Sequence, residues 1–527
     1  MAEFKLLLAE CIKPMGFFNI PYRTPSEYQK YLIGEYANVR KWFRPKTDIK
    51  KWAKDDIFNQ FEDWPEDVSF VIEKDSTNNA LHFLKDNIST YCKILKGIAT
   101  PERILHELEQ DNYTHVGLGV FVAAYTTFKE CVKAIRKNYP HITILAGNAG
   151  TIFPQTKKYA DLVCRGRGVP FLRNLFNEDP FIPYNPGLAT GMLEFKYNHI
   201  SLKRHLVEFV TKMGCPHKCD FCITNKFFDG KFSGILVSPE IARDALVEHR
   251  KAIGNQDFTT YFCEPTAITD HKWWYELIEL FEDEDGHYPL ILPTTAISLK
   301  NFDLDKTMSS TLKIDTVGIG IENFDKNYRK NQHVDVIELI KRLTEYGIAT
   351  YASYIVGFPH QTEEDIWYEI NKLLSLNASF YEIHNIKVLP ETPLWNELKA
   401  QKRLLKLPTE FYYLHGFQSF KHDHFRPGFV DIWPLIFRIR KHIEREMGNV
   451  SNSYYELMKN LVDKKAKNWR LFRRNMKMYQ KISQAILLGW IRHFNPSDRQ
   501  IQNYLERIDS LDLYESIGVR KSNPIEV

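Results

Sequence analysis

Residues 212–225 read KMGCPHKCDFCITN, which places three of the chain's eight cysteines, Cys215, Cys219 and Cys222, at spacings of four and three. Three thiols on one loop after an apolar stretch can ligate zinc or an iron-sulfur cluster. Structural zinc takes four ligands, commonly two pairs a dozen or more residues apart, and the sequence offers no second pair. His217 as a fourth ligand would be cramped between Pro216 and Cys219. A four-iron cluster normally takes four cysteines. Three leave one iron open, and an open coordination position signals chemistry rather than scaffolding.

Around this loop the chain alternates between strand and helix patterns. Apolar strand candidates lie at 206–210, 258–263, 290–295, 316–321, 350–356 and 380–383, with helical stretches such as PEIARDALVEHRKAI between most of them. Six such units predict a partial parallel (β/α)6 barrel over 201–404. Parallel barrels carry their chemistry at the carboxyl ends of the strands, and the cysteine loop follows the first of these. Upstream, HVGLGVFV, ITILAG and ADLVCRG read as strands, with Phe128, Cys131, Val132 and Ile135 on one helical face. This doubly wound pattern predicts a Rossmann-like α/β domain over 1–175. The Trp-rich stretch at 40–75 carries no clear assignment. Pro, Gly, Asn and Tyr in 176–200 predict a linker, and 405–527 reads as a helical carboxyl-terminal domain. Its basic amphipathic run at 464–481 reads as a helix whose aromatic stripe packs on the barrel, the rivals being a site for an anionic substrate, an RNA or a membrane surface.

The 527 residues, 44% apolar and 26% charged, describe a soluble globular protein of two or three domains. No run of eighteen apolar residues offers a membrane span, and the start, MAEFKLLLAECIKP, lacks a secretory pattern, so a cytoplasmic address is expected. The other five cysteines are too scattered for a disulfide framework and read as buried thiols. A net charge of +4 is small for this length, and no nucleic-acid partner is expected.

Cys215, Cys219 and Cys222, with the aromatic Phe221 before the last, match CxxxCxxC and resemble the loop of radical S-adenosylmethionine (SAM) enzymes. The resemblance implies a [4Fe-4S] cluster on the three thiolates, with SAM chelating the fourth iron and being cleaved to a 5'-deoxyadenosyl radical. YFCEPTAITD is similar to the family's second barrel strand, which implies that Glu264 lies near the SAM amino group. GIGIENFD is similar to the fourth, where Glu322 or Asn323 would reach SAM ribose or substrate, unless the glutamate only caps the next helix. YIVGFPHQTEED is similar to the fifth: Gly357 and Pro359 would shape a close backbone approach to adenine, and Thr362 would cap the helix that follows. VLPETPLW resembles the sixth strand's ending, but Glu391 and a missing glycine depart from it.

HVGLGVFVAAYT, ILAGNAG and ADLVCRGRG resemble the cobalamin-binding domain that precedes many radical SAM enzymes. The resemblance implies that Tyr125, Thr126, Gly147, Asn148, Gly150, Gly166 and Gly168 wrap the corrin and its tail. Ala146 and Arg167 depart from the usual text, and the D-x-H-x-x-G motif that supplies a histidine to cobalt is absent. The other reading is a domain of this fold that has lost the corrin. The function implied is a cobalamin-dependent radical SAM (class B-like) methyltransferase acting on an unactivated carbon. Its partners would be a small-molecule or peptide substrate and a flavodoxin- or ferredoxin-like electron donor. The rivals are radical ring closure, rearrangement or epimerisation without methyl transfer, and a non-catalytic metal- or RNA-binding protein.

Overall fold

The structure, a computed structural model, describes residues 4–11, 68–74 and 79–446, apart from short gaps that include 198–199 and 325–332. The readings of the Trp-rich stretch up to residue 67 and of the basic run at 464–481 lie outside the described residues.

In chain order the first part holds β1 (Lys5–Cys11), β2 (Val68–Lys74), α1 (Asn79–Lys85), β3 (Tyr91–Ile98), α2 (Pro101–Leu108), β4 (His115–Val120), α3 (Tyr125–Asn138), β5 (Thr143–Gly147), β6 (Leu162–Val163) and α4 (Gly168–Leu175). Five of these strands form a parallel sheet in the order β3-β1-β4-β5-β6. The interior strand β1, KLLLAEC, is buried on both faces, as an uninterrupted apolar run requires. Leu6 and Leu8 pack with Leu81 and Leu172 of α1 and α4, while Leu7, Ala9 and Cys11 pack with Ile104 and Phe128 of α2 and α3. Each fully buried leucine contributes about 2 kcal/mol of burial. Because β3 and β4 flank β1, the carboxyl ends of β1 and β4 border the crevice where doubly wound sheets bind ligands.

The second part runs β7 (Ala189–Tyr197), β8 (Ile200–Phe209), α5 (Ile223–Phe227), α6 (Pro239–Ile253), β9 (Phe258–Phe262), α7 (His271–Glu279), β10 (Tyr288–Thr294), α8 (Ala296–Leu299), α9 (Leu304–Ser309), β11 (Leu312–Glu322), α10 (Val336–Glu345), β12 (Ala349–Val356), α11 (Glu363–Leu374), β13 (Phe380–Asn385) and α12 (Pro393–Ala400). The strands β8 to β13 lie side by side in sequence order, all parallel, as six successive strand-helix units dictate. Their outward faces, with Val207, Phe262, Leu292, Val317 and Ile383, pack under the helices in the largest core of the molecule.

Three readings are corrected. Part of the supposed linker is β7, which pairs antiparallel with β8 from Ala189↔Glu208 to Tyr197↔Ile200. β2, from the supposed first domain, pairs with β7 and extends the same sheet. A hairpin needs only backbone register, so proline and glycine just upstream did not prevent it. The carboxyl-terminal part is also not wholly helical where described, since Leu404 bridges Phe420 and Gln418 bridges Gly428. Ile432, Leu435, Ile436 and Ile439 beyond it are buried in the barrel's core.

Candidate active site

The cysteine loop leaves the carboxyl end of β8 and is fastened before its first thiol. Glu264, just past β9, turns its carboxylate inward: Oε1 accepts from the Thr211 amide, from Thr211 Oγ1 at 2.7 Å and from the Lys212 amide at 3.2 Å. Lys212 Nζ lies 3.2 Å from Oε2, with both side chains almost fully buried, and donates to the Ala267 carbonyl. Burial pushes the Glu264 carboxyl upward, and the Lys212 ammonium and Thr211 donors oppose it. The Ser233 hydroxyl then pins Met213, accepting from its amide at 2.9 Å and donating to its carbonyl at 2.8 Å. Gly214 follows at φ +83°, where a Cβ would lie 2.7 Å from the Lys231 carbonyl oxygen. Only glycine fits that turn.

Beyond it Cys215, Cys219 and Cys222 are half-buried free thiols on one loop. Cys215 Sγ lies 3.7 Å from Thr266 Oγ1, the Cys222 amide donates to the Cys219 carbonyl at 3.1 Å, and Cys222 is the N-cap of α5. The Leu394 amide at the start of α12 donates to the Asp220 main-chain carbonyl at 3.1 Å, and Asn225 Nδ2 to the His217 carbonyl at 3.1 Å. Among the described residues no three His, Cys, Asp or Glu side chains close on a single ion. A cubane takes one thiolate per iron, so three thiols spread along a loop suit it as donors.

The other barrel residues singled out by sequence fall at or near this mouth. Phe221 meets Phe358 edge to face at 5.6 Å between centroids. Glu264 braces the loop, its carboxylate held by Lys212 and Thr211. Glu322, at φ +64°, ends β11, and the amide of buried Asn323 donates to the Ile321 carbonyl at 2.8 Å. At Gly357, φ +85°, a Cβ would lie 3.2 Å from Ile432 Cδ1, so the close approach there is made by the carboxyl-terminal segment. Gln361 Oε1 accepts both the Gly357 and Phe358 amides, at 2.9 and 3.0 Å. Pro359 follows half-buried, and Thr362 forms a capping box with Asp365 on α11.

In the amino-terminal sheet the expected corrin contacts divide. Gly147, at the end of β5, has nothing within 4 Å of a built Cβ, and Asn148 beside it adopts φ +70°. Thr126 is half-buried at the start of α3. Tyr125 is instead a core residue, 1% exposed with its hydroxyl 3.0 Å from Thr156 Oγ1. A Cβ on Gly150 would lie 2.6 Å from Val120 Cγ1, and one on Gly168 2.6 Å from Leu84 Cδ2, so these glycines make room for side chains rather than for a ligand. Gly166 packs on α5, where a Cβ would be 3.6 Å from the Phe227 carbonyl. Among the glycines singled out by sequence, Gly147 alone has no neighbour within 4 Å of a built Cβ.

The family model of the radical SAM superfamily matches residues 210–373. Those residues are a radical SAM domain. Such a domain works with a [4Fe-4S] cluster and SAM. An uncharacterized methyltransferase, PH0819, of Pyrococcus horikoshii is 24% identical over 291 residues, 53% of this chain and 58% of that protein. The hopanoid C-2 methylase of Rhodopseudomonas palustris is 23% identical over 204 residues, 36% of this chain and 37% of the methylase. The chain thus spans well under two thirds of these relatives' lengths. Among solved structures, TsrM, a radical S-adenosylmethionine methyltransferase of Kitasatospora setae, aligns at a TM-score of 0.49 with 16% identity, over 61% of this chain and 73% of TsrM.

Several side chains of the radical SAM domain and its surroundings escaped sequence reasoning. Lys387, past the end of β13, donates to Asn385 Oδ1 at 2.7 Å and lies 6.0 Å from the Tyr413 ring, and burial drives its ammonium well below the usual lysine range. Arg165 donates to the carbonyls of Thr151 at 3.1 Å and Ile152 at 2.9 Å and to Glu391 Oε2 at 3.2 Å, tying the first sheet's glycine loop to the barrel mouth. Glu391 is the residue at which the sixth strand's ending departs from the family text, and a charged residue at such a departure was the available signal.

Proposed function

We propose that this chain is a cobalamin-dependent radical SAM methyltransferase that methylates an unactivated carbon. Cys215, Cys219 and Cys222 would hold the cluster, and the barrel's strand ends would hold SAM. The open backbone at Gly147 and Asn148 would receive the corrin. Cluster and SAM together supply a 5'-deoxyadenosyl radical, and cobalamin supplies a transferable methyl group.

The observation that carries the reading is the meeting of the two sheets' carboxyl ends. Ile223, directly after Cys222, packs against the amino-terminal core, as do Leu389 and Tyr412. Arg165 clasps Glu391 across the same junction. Ligands of the two sheets would therefore face one another, as methyl transfer to a radical requires. In this arrangement the Lys212 and Glu264 brace fixes the thiols, and Phe221 and Phe358 wall the loop.

The side chains of Val120 and Leu84 against Gly150 and Gly168 favour a second reading, radical chemistry without cobalamin or methyl transfer. Anaerobic reconstitution followed by cobalt analysis and product counting separates the two. Methylation yields both S-adenosylhomocysteine and 5'-deoxyadenosine, whereas the second reading yields no S-adenosylhomocysteine.

A further inference from the structure

The segment 264–267, EPTA, that braces the root of the cysteine loop also reaches one of its thiols. Thr266 Oγ1 lies 3.7 Å from Cys215 Sγ, within hydrogen-bonding distance for sulfur, and Thr266 is 2% exposed.

Both ends of this contact are held by other bonds. On the threonine side, Glu264 grips Thr211 and Lys212. The Ala267 amide donates to the Pro293 carbonyl at 2.7 Å, and the Ala267 carbonyl accepts from Trp274 Nε1 at 3.0 Å and from Lys212 Nζ. On the cysteine side, Ser233 holds Met213 and Gly214 turns the chain into Cys215 at φ +83°. The frame of the barrel mouth therefore sets the hydroxyl against the sulfur, as a preorganised support for a metal ligand requires.

Counting protons decides what the contact does. In the free thiol either atom can donate to the other, and the Thr266 hydroxyl also donates to the Pro265 carbonyl at 2.9 Å. A cysteine that binds iron has given up its proton, so its sulfur can only accept. The hydroxyl is then the one donor of the pair, and a bond to a charged acceptor is roughly twice as strong as one to a neutral carbonyl. Its proton turns to Sγ. A hydrogen bond there draws negative charge off the sulfur and favours the cluster form that carries the additional electron.

Resting on the cluster reading of the three cysteines, we propose that Thr266 is a positioning residue whose hydroxyl donates to the Cys215 thiolate and raises the cluster's reduction potential. The electron comes from an external low-potential reductant, and the hydroxyl keeps its proton throughout.

The test is a redox titration of the anaerobically reconstituted full chain with dithionite, without SAM, followed by electron paramagnetic resonance. Thr266→Val, which keeps the shape and removes the hydroxyl, is expected to take up iron like the wild type. Its cluster is expected to be about tenfold harder to reduce at a given potential, a fall of about 59 mV for a one-electron couple. Thr266→Ser keeps the donor and is expected to stay at the wild-type potential. A Thr266→Val potential equal to wild type, or equal shifts in Thr266→Val and Thr266→Ser, overturns the proposal. Should Thr266→Val fail to fold, Thr266→Ala is compared with Thr266→Ser in the same way. A wild-type preparation without about four irons per chain overturns the cluster reading and this proposal together. A full cluster with an unmoved potential overturns this proposal alone.

Discussion

Lys212 and Glu264 form a buried ion pair, 3.2 Å from Nζ to Oε2, directly beneath the three-cysteine loop. Removing one partner of such a pair strands the other charge away from water, a loss of about 3–5 kcal/mol. Glu264→Gln and Lys212→Met are each expected to lower unfolding stability by that order and to reduce iron incorporation. The double variant Lys212→Met, Glu264→Leu, which strands no charge, is expected to regain much of the stability. Denaturant unfolding and iron analysis of the three variants check this.

Arg165 and Glu391 are a different case, because both side chains are partly exposed, 36% and 42%. Such a pair contributes at most about 1 kcal/mol, and losing the Arg165 donors to the Thr151 and Ile152 carbonyls adds about 1 kcal/mol for each, so Arg165→Glu is expected to lower unfolding stability only modestly. Its effect belongs to the placement of the amino-terminal sheet over the barrel mouth. The yield of methylated product per SAM cleaved is expected to fall in Arg165→Glu and to recover in the charge-swapped Arg165→Glu, Glu391→Arg protein.

Glycines of the amino-terminal sheet separate a ligand's space from a neighbour's. Gly150→Ala would place its Cβ 2.6 Å from Val120 Cγ1 and 2.7 Å from the Val120 carbonyl, and overpacking of that kind costs about 1–3 kcal/mol. Gly147→Leu points into open space and is expected to leave the melting temperature unchanged while cutting bound cobalt. Retention of cobalt in Gly147→Leu would count against the corrin lying there.

His422 gives a pH dependence of definite sign. Its Nδ1 accepts from the His424 amide at 3.0 Å and the Phe425 amide at 3.3 Å, while Nε2–H donates to the Phe358 carbonyl at 2.7 Å. Only the neutral ring can do both. Desolvation, the largest cause, pushes its pKa down to about 4. The folded state thus binds the proton less readily than the unfolded one, and the stability this ring contributes is present above the ordinary histidine range and is lost as pH falls towards 4. Denaturant unfolding of wild type and His422→Phe is expected to differ most near pH 7 and to converge on acidification.

How much of this was legible in the sequence follows from the kind of interaction concerned. Each of the six parallel strands is a local apolar run followed by a helix, so β8 to β13 could be read from residues close together in the chain. The pairing of β2 with β7 joins segments more than a hundred residues apart and leaves no local signature. Cys215, Cys219 and Cys222 stand out because their spacing is itself the signal. Glu264 was recognisable as a strand-end acid, but its partner Lys212 lies on another strand's end, so the direction of its carboxylate was not. A glycine in the text marks a close approach without saying what approaches. At Gly168 it is Leu84, at Gly357 it is Ile432, and at Gly147 nothing lies within 4 Å of a built Cβ.

The central claim, that three loop thiolates hold a cluster whose remaining iron takes SAM, is tested most directly by electron paramagnetic resonance of the anaerobically reconstituted, reduced protein with and without SAM. A cluster of about four irons per chain whose spectrum shifts when SAM is added is the expected result. A spectrum indifferent to SAM, or full iron content surviving Cys215→Ala, Cys219→Ala or Cys222→Ala, would contradict it.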